Sequence, residues 1–323
     1  MSNQSANPPV TGGADPIPEF RDRCYAVRVR WIKGELPFEE ALSLLNTYQQ
    51  EAVESGHLAN QALVEYQLGY IHHYRGKIDQ SIEHYQRALA IFEQVGNREY
   101  TARVNLNLGS EYQEKGIFHK ALDQYQLAYA QSGEIGDLSM QLFAAVNSGD
   151  VLFRLEMYDP ARQAFERGEE LARQLTDDYW QKQIIVCELY CGLSTVFLKQ
   201  HDANSAWASA LKALEAARRD DQPRSRGVVN RLLGILISEF PTVPDQSFST
   251  NPDEYFQKSL DAYVEIDAEP EIARTLVIYA QSLKSRGRPG EAAEKAQQAI
   301  RMFRTLGMTD EAMRVSLSQL GGG

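Results

Sequence analysis

The chain has 323 residues, 43% hydrophobic and 24% charged, with 33 Lys and Arg against 44 Asp and Glu for a formal net charge of −11. The acidic balance argues against nucleic acid as the main ligand, since phosphate binding needs clustered cations, and the longest apolar stretches, such as residues 232–237, fall well short of the roughly 18 residues of a membrane span. Three cysteines make no disulfide framework and fit a reducing, cytoplasmic compartment, and no charged-then-apolar signal segment opens the chain.

Residues 1–16 carry Asn, Ser, Gly and three prolines without periodicity, and a disordered N-terminal tail is expected there. From that point a small residue recurs every forty positions. Val29, with Ala41, Leu45 and Tyr48, opens the series. Gly69, Gly109 and Gly149 follow, each trailed twelve residues later by Ser81, Ala121 or Ala161, then by Tyr85, Tyr125 or Phe165, then by Ala88, Ala128 or Gly168. After an expansion at residues 177–180 come Ser194, Ala206, Ala210 and Ala213, and then Gly234. Its partners Phe256 and Ser259 arrive six residues late, behind a stretch at 239–251 rich in Pro, Ser, Thr and Asp. That stretch reads as an inserted loop and, lacking an apolar period, is expected to be the most mobile internal segment, the first cut by limited proteolysis. The chain restarts at Asn251 as a cap, with Pro252 at the first helical position and Glu254 at the reciprocal capping position. Ala280, Ala292, Ala296 and Ala299 complete a seventh copy, residues 309–320 form a covering helix, and 321–323 are a flexible tail.

Positions three, four and seven apart share one helical face, so each copy reads as two helices, A and B, whose small residues allow close approach while the aromatic fills the gap. Gly56, Gly96, Gly136 and Gly307 close helix B at one relative place, where a left-handed residue costs glycine little. Thr176, Asp221 and Asp267 stand there in the other copies, which predicts less regular turns in the latter half.

The series of small, small, aromatic and small residues is the tetratricopeptide pattern. Its forty-residue spacing and the helix-B ending Phe92-Glu93-Gln94-Val95-Gly96-Asn97 resemble the long-helix subclass of kinesin light chains, spindle-orientation adaptors and bacterial Rap-type receptors. The resemblance implies an all-α fold over residues 17–320 as a single domain. It would be a right-handed superhelical solenoid of seven helix pairs plus a C-terminal capping helix, binding peptides or proteins in a concave groove lined by helix A. In such proteins an asparagine two residues before the glycine often holds a peptide backbone. Asn107 and Asn147 match that position and Gln67 holds it one copy earlier, whereas Gly192, Leu232 and Ile278 stand there later. The Lys and Asn pair of chaperone-binding members is replaced by Tyr66 and Tyr70, then by Leu106 and Ser110, which argues against a chaperone-tail adaptor.

By helical register, Tyr70, Tyr74, Arg103, Ser110, Glu114, Asp150 and Arg154 should face the same groove. Tyrosines there offer apolar area with one polar tip, a composition suited to protein recognition. Arg218, Arg219, Arg224, Arg226 and Arg231 gather between the fifth and sixth copies as a possible patch for an acidic partner, against the plainer reading of a solvated turn. His72, His73 and His84 lack the company that a metal site needs, and Cys187 and Cys191 read as buried small residues. With no P-loop, nucleophile elbow, zinc-protease helix or dinucleotide-binding glycines, the sequence calls for no enzyme, cofactor or metal. The preferred reading is a scaffold or adaptor for a protein or extended peptide. A sensor of short signalling peptides that regulates an effector, and a structural subunit of a larger assembly, are the alternatives.

Overall fold

The computed structural model describes residues 13–176, 182–240, 242–244 and 247–320, the side chains of 310 and 318–320 excepted. The expansion at 177–180, the tail at 321–323 and residues 1–12 of the expected disordered segment lie outside the described residues. Among the described residues there are fifteen α-helices and no strand. They group into two compact units, Met1–Met157 and Tyr158–Gly323.

The first unit holds α1 (Pro18–Ile32), α2 (Phe38–Glu54), α3 (Leu58–Tyr74), α4 (Ile78–Val95), α5 (Arg98–Glu114), α6 (Phe118–Ile135) and α7 (Leu138–Arg154). Its helix starts repeat with the sequence period. The side chains of His57, Asn97 and Asp137 each accept the backbone N–H three residues on, at 3.3, 2.9 and 2.9 Å, satisfying donors that the first turn leaves free. Helices α4 and α6 end on Gly96 and Gly136, with φ of 74° and 73°. A Cβ added at Gly69 would meet the Tyr85 ring at 2.7 Å, and one at Gly109 the Tyr125 ring at 2.5 Å. The small-to-aromatic spacing is therefore the contact between α3 and α4 and between α5 and α6. Ser81 adds a polar stitch, its single hydroxyl hydrogen shared between the Gly69 carbonyl and Glu111 Oε1, each 2.9 Å from Oγ.

Helix α1 departs from the expected register. Val29, placed inward by the forty-residue spacing, is 42% exposed, while Phe20, Cys24 and Val27 are buried. A valine cannot allow the close approach that glycine gives α3 and α5, and α1 turns a different stripe to its neighbours.

His72 lies between Phe38 and the parallel ring of His84, 5.0 Å away, and burial pushes its pKa down to about 4. Between the ordinary value of 6.5 and about 4 the unfolded chain therefore binds a proton that the folded chain refuses, and stability falls as pH drops through that window. His73 runs the other way. Its hydrogen bond to Glu111 raises its pKa, so that contribution is complete below the ordinary value and is lost as pH rises through the raised one. Urea melts at about pH 7 and pH 5 should show a smaller acid loss in His72→Gln than in the wild type. An equal loss would mean that His72 is not the acid-sensitive group.

The second unit holds α8 (Tyr158–Gln174), α9 (Lys182–Lys199), α10 (Ala203–Asp220), α11 (Pro223–Glu239), α12 (Pro252–Val264), α13 (Glu269–Ser285), α14 (Pro289–Thr305) and α15 (Thr309–Leu320). Gly234 packs against Phe256 across the insertion, so the late aromatic still meets its glycine and the extra residues are looped out. Asn251 Oδ1 accepts from the Asp253 N–H at 3.1 Å, with Pro252 at the helix start. The insertion is largely exposed but carries anchoring apolar side chains. Phe240, Val243 and Phe248 pack partly buried on the core of α9 to α12, and the Phe248 ring lies 5.7 Å from Trp207. Irregularly spaced apolar residues escape a test for periodicity yet still find apolar surface to cover. Asp221 and Asp267 take left-handed backbone with φ of 51°, as do Glu156 at 60° and His201 at 57° in the turns that close helix A.

Cys24, Cys187 and Cys191 are free and buried. Burial raises the Cys24 thiol to about 12. Among the described residues no helix is long and apolar enough to cross a membrane.

Candidate functional site

The expected groove residues fall on α3, α5 and α7 of the first unit, where they form two connected groups. In the first, Tyr70 Oη donates to Tyr74 Oη at 3.0 Å with the rings 4.8 Å apart, one turn of α3 from each other. Tyr74 is 58% exposed and also meets the edge of Trp31. Arg103 binds Glu99 through Nε and Nη2 at 3.1 and 2.9 Å. Asn107, half-buried, donates its amide to Tyr66 Oη at 3.3 Å.

The second group is a polar chain running from α5 to α7. Tyr125 Oη reaches both Ser110 Oγ, at 3.2 Å, and Gln113 Oε1, at 2.8 Å. Gln113 in turn donates to Asp150 Oδ2 at 2.6 Å, and Arg154 Nε donates to the same oxygen at 2.9 Å. Asn147 is half-buried on α7, and Glu114 is exposed at the end of α5.

Gln67 requires a correction. It is fully buried, and neither amide atom has a partner among the described residues, so it offers nothing to a ligand on this face. The reason lies in the packing. Asn107 turns toward the preceding helix A, where Tyr66 meets it, whereas α3 is packed on by α1 as well as by α2 and α4.

Helix α1 brings residues that the sequence reading missed. The Tyr25 and Tyr100 hydroxyls lie 3.0 Å apart. The Arg28 guanidinium sits 4.7 Å from the Tyr25 ring centre and 4.6 Å from that of Tyr70. The inward placement of Val29 hid this face. The alternation of Tyr and Arg at 25 and 28 was its only trace in the sequence.

Most arginines of the expected patch in the second unit carry acid partners. Arg219 pairs with Glu215 at 2.5 Å, Arg224 with Glu188 at 3.3 Å and Arg226 with Glu265 at 2.5 Å, while Arg218 is exposed. Arg231 reaches Glu271 at 2.7 Å with side chains only 18% and 28% exposed. Burial would raise the Glu271 pKa, but Arg231 and Arg274 overcome it and hold the carboxyl at about 2. Arg224, Arg226 and Arg231 thereby tie their helix to acids 36 to 40 residues away, whereas Arg219 pairs within α10. Among the described residues no group of three or more His, Cys, Asp or Glu is placed to hold a metal ion.

A family model of the tetratricopeptide repeat matches residues 60–134, the span of α3 to α6. No curated protein matches the chain by sequence. Solved structures share its fold. The apo form of RapI superposes with a TM-score of 0.74 at 16% identity, over 90% of this chain and 99% of that one. Aspartyl phosphate phosphatase F from Bacillus subtilis gives 0.70 at 11% identity, over 88% and 69%. The Rap conjugation gene regulator of the plasmid pLS20, in complex with the Phr* peptide, gives 0.67 at 16% identity, over 91% and 76%. The chain thus resembles Rap-type tetratricopeptide proteins, and at these identities the likeness is one of fold.

Proposed function

We propose that this chain is a non-enzymatic, cytoplasmic adaptor that holds an extended peptide or protein segment on the helix-A face of α3, α5 and α7. The observation that carries the reading is the half-buried Asn107, held by Tyr66 and flanked by Tyr70, Tyr74 and Arg103. An amide both donates to and accepts from a peptide unit, and phenols supply contact area with a polar tip. A binding role is also supported by the cysteines, all three buried, with the thiols of Cys24 and Cys191 held protonated rather than poised as nucleophiles. A sensor of short signalling peptides is the second reading, favoured by the shared fold with a regulator solved with the Phr* peptide and a Rap protein solved with competence and sporulation factor.

The test begins with a partner isolated from the native host by pull-down and mass spectrometry. Calorimetric titration of that partner should weaken by about 2–4 kcal/mol when Asn107 and Asn147 are both replaced by Ala, at about 1–2 kcal/mol for each lost polar contact, with little change in melting temperature. Undiminished affinity would remove the face from consideration.

A further inference from the structure

We propose that the seam of α1, α3 and α5 is a carboxylate-binding subsite built on Arg28, beside the Glu99-paired Arg103, which takes an acidic side chain or the terminal carboxylate of an extended peptide lying on the helix-A face. The inference rests on the groove reading and narrows its ligand to an acidic one.

Arg28 is the starting point. It is half-buried, yet among the described residues no carboxylate, carbonyl or hydroxyl accepts from it. Arg23, Arg87, Arg103 and Arg154 of the first unit are each paired with an acid, whereas Arg75 rests on the Phe38 ring; Arg28 is held between two rings. What holds Arg28 is the pair of rings from Tyr25 and Tyr70, which fix the guanidinium while leaving its five N–H donors unspent. A planar fork held in place is matched to a carboxylate and loses little freedom on binding one.

The surroundings are rich in donors. One of the Tyr25 and Tyr100 hydroxyls donates to the other across 3.0 Å, which leaves the second with a hydrogen to give. Tyr66 accepts from Asn107, and its own hydrogen has no acceptor among the described residues. Burial raises both Tyr66 and Tyr100, so each remains a neutral donor, and both guanidiniums act on the Tyr66 phenol. The acid held at this seam, Glu99, is bound by Arg103, so Arg28 supplies a local unmatched positive charge in a chain whose net charge is −11. Charge complementarity selects one carboxylate as the missing partner.

Arrays of random heptapeptides, half with free and half with amidated C-termini, should be probed with the full chain and with Arg28→Gln, Arg28→Lys and Tyr25→Phe. Peptides that bind the wild type should be enriched at least fivefold in Asp, Glu or a free terminus. Arg28→Gln should bind those peptides at least tenfold more weakly, Arg28→Lys should recover part of the loss, and neutral binders should be unaffected. Loss confined to the amidated half would assign the terminal carboxylate, and retention there would assign an acidic side chain. Tyr25→Phe, which keeps the ring and removes one hydroxyl, guards against a folding artefact by giving a smaller loss at an unchanged melting temperature. Binders without acidic enrichment, or equal binding by Arg28→Gln, would overturn the subsite while leaving the groove reading intact. An array on which nothing binds would overturn both.

Discussion

Gly109→Leu is expected to lower stability by about 3 kcal/mol or more, the upper part of the range for overpacking a closed helix contact. An added Cβ alone would approach the Tyr125 ring to 2.5 Å, and that ring is 1% exposed. It cannot swing away without breaking its hydrogen bonds to Ser110 and Gln113, which link α5 to the polar chain reaching Asp150. The damage should therefore pass from the α5–α6 contact to the candidate binding face. Gly290→Ala is the counterpart. It sits in α14 with nothing within 4 Å of the new carbon and no positive φ, so it should gain up to about 1 kcal/mol by restricting the unfolded chain. Thermal melts of both variants by circular dichroism decide the matter, and a Gly109→Leu protein that melts with the wild type would refute the assigned contact.

Arg231→Met should cost about 2–4 kcal/mol, because it leaves Glu271 half-stranded between helices. The arginine is held by Glu271 at 2.7 Å and Thr275 at 3.3 Å, with the Tyr263 ring 5.6 Å away. The pair also sets a sign for acid dependence. A carboxyl held at about 2 contributes stability that is fully present above its ordinary value of 4.5 and is lost as pH falls through about 2. The difference between variant and wild type should accordingly be widest near neutrality and shrink as the solution is acidified. The double variant Arg231→Met, Glu271→Leu should regain most of the loss, since a well-packed apolar pair can replace a partly buried ionic one. A single variant as stable as the wild type at neutral pH would show that the pair contributes nothing.

The helix pairs were legible in the sequence because glycine and aromatic recur at a fixed separation, and even the six-residue delay of Phe256 pointed to the loop that the structure contains. Ion pairing was not legible, for a reason that belongs to repeat proteins. Side chains one period apart in sequence become neighbours in space, so the acids that neutralise Arg224, Arg226 and Arg231 lie 36, 39 and 40 residues away. A search for compensating charge within the local stretch saw only Asp220 and Asp221. The same rule places Tyr66 against Asn107 at a separation of 41. Burial of Gln67 and exposure of Val29 were out of reach for another reason. Both depend on how the first helix turns, and it lacks the small residue that would have fixed its register.

The three buried cysteines give this molecule an internal clock. A thiol-specific reagent needs both access and a thiolate; the folded chain denies it access at all three cysteines, and at Cys24 and Cys191 the thiolate as well. Modification must then wait for local opening, and its rate reports the free energy of that opening. Cys24 lies in the first unit, whereas Cys187 and Cys191 lie in the second. Peptide mapping of the modified chain therefore separates the opening of α1 beside the proposed subsite from the opening of α9, without a single engineered label.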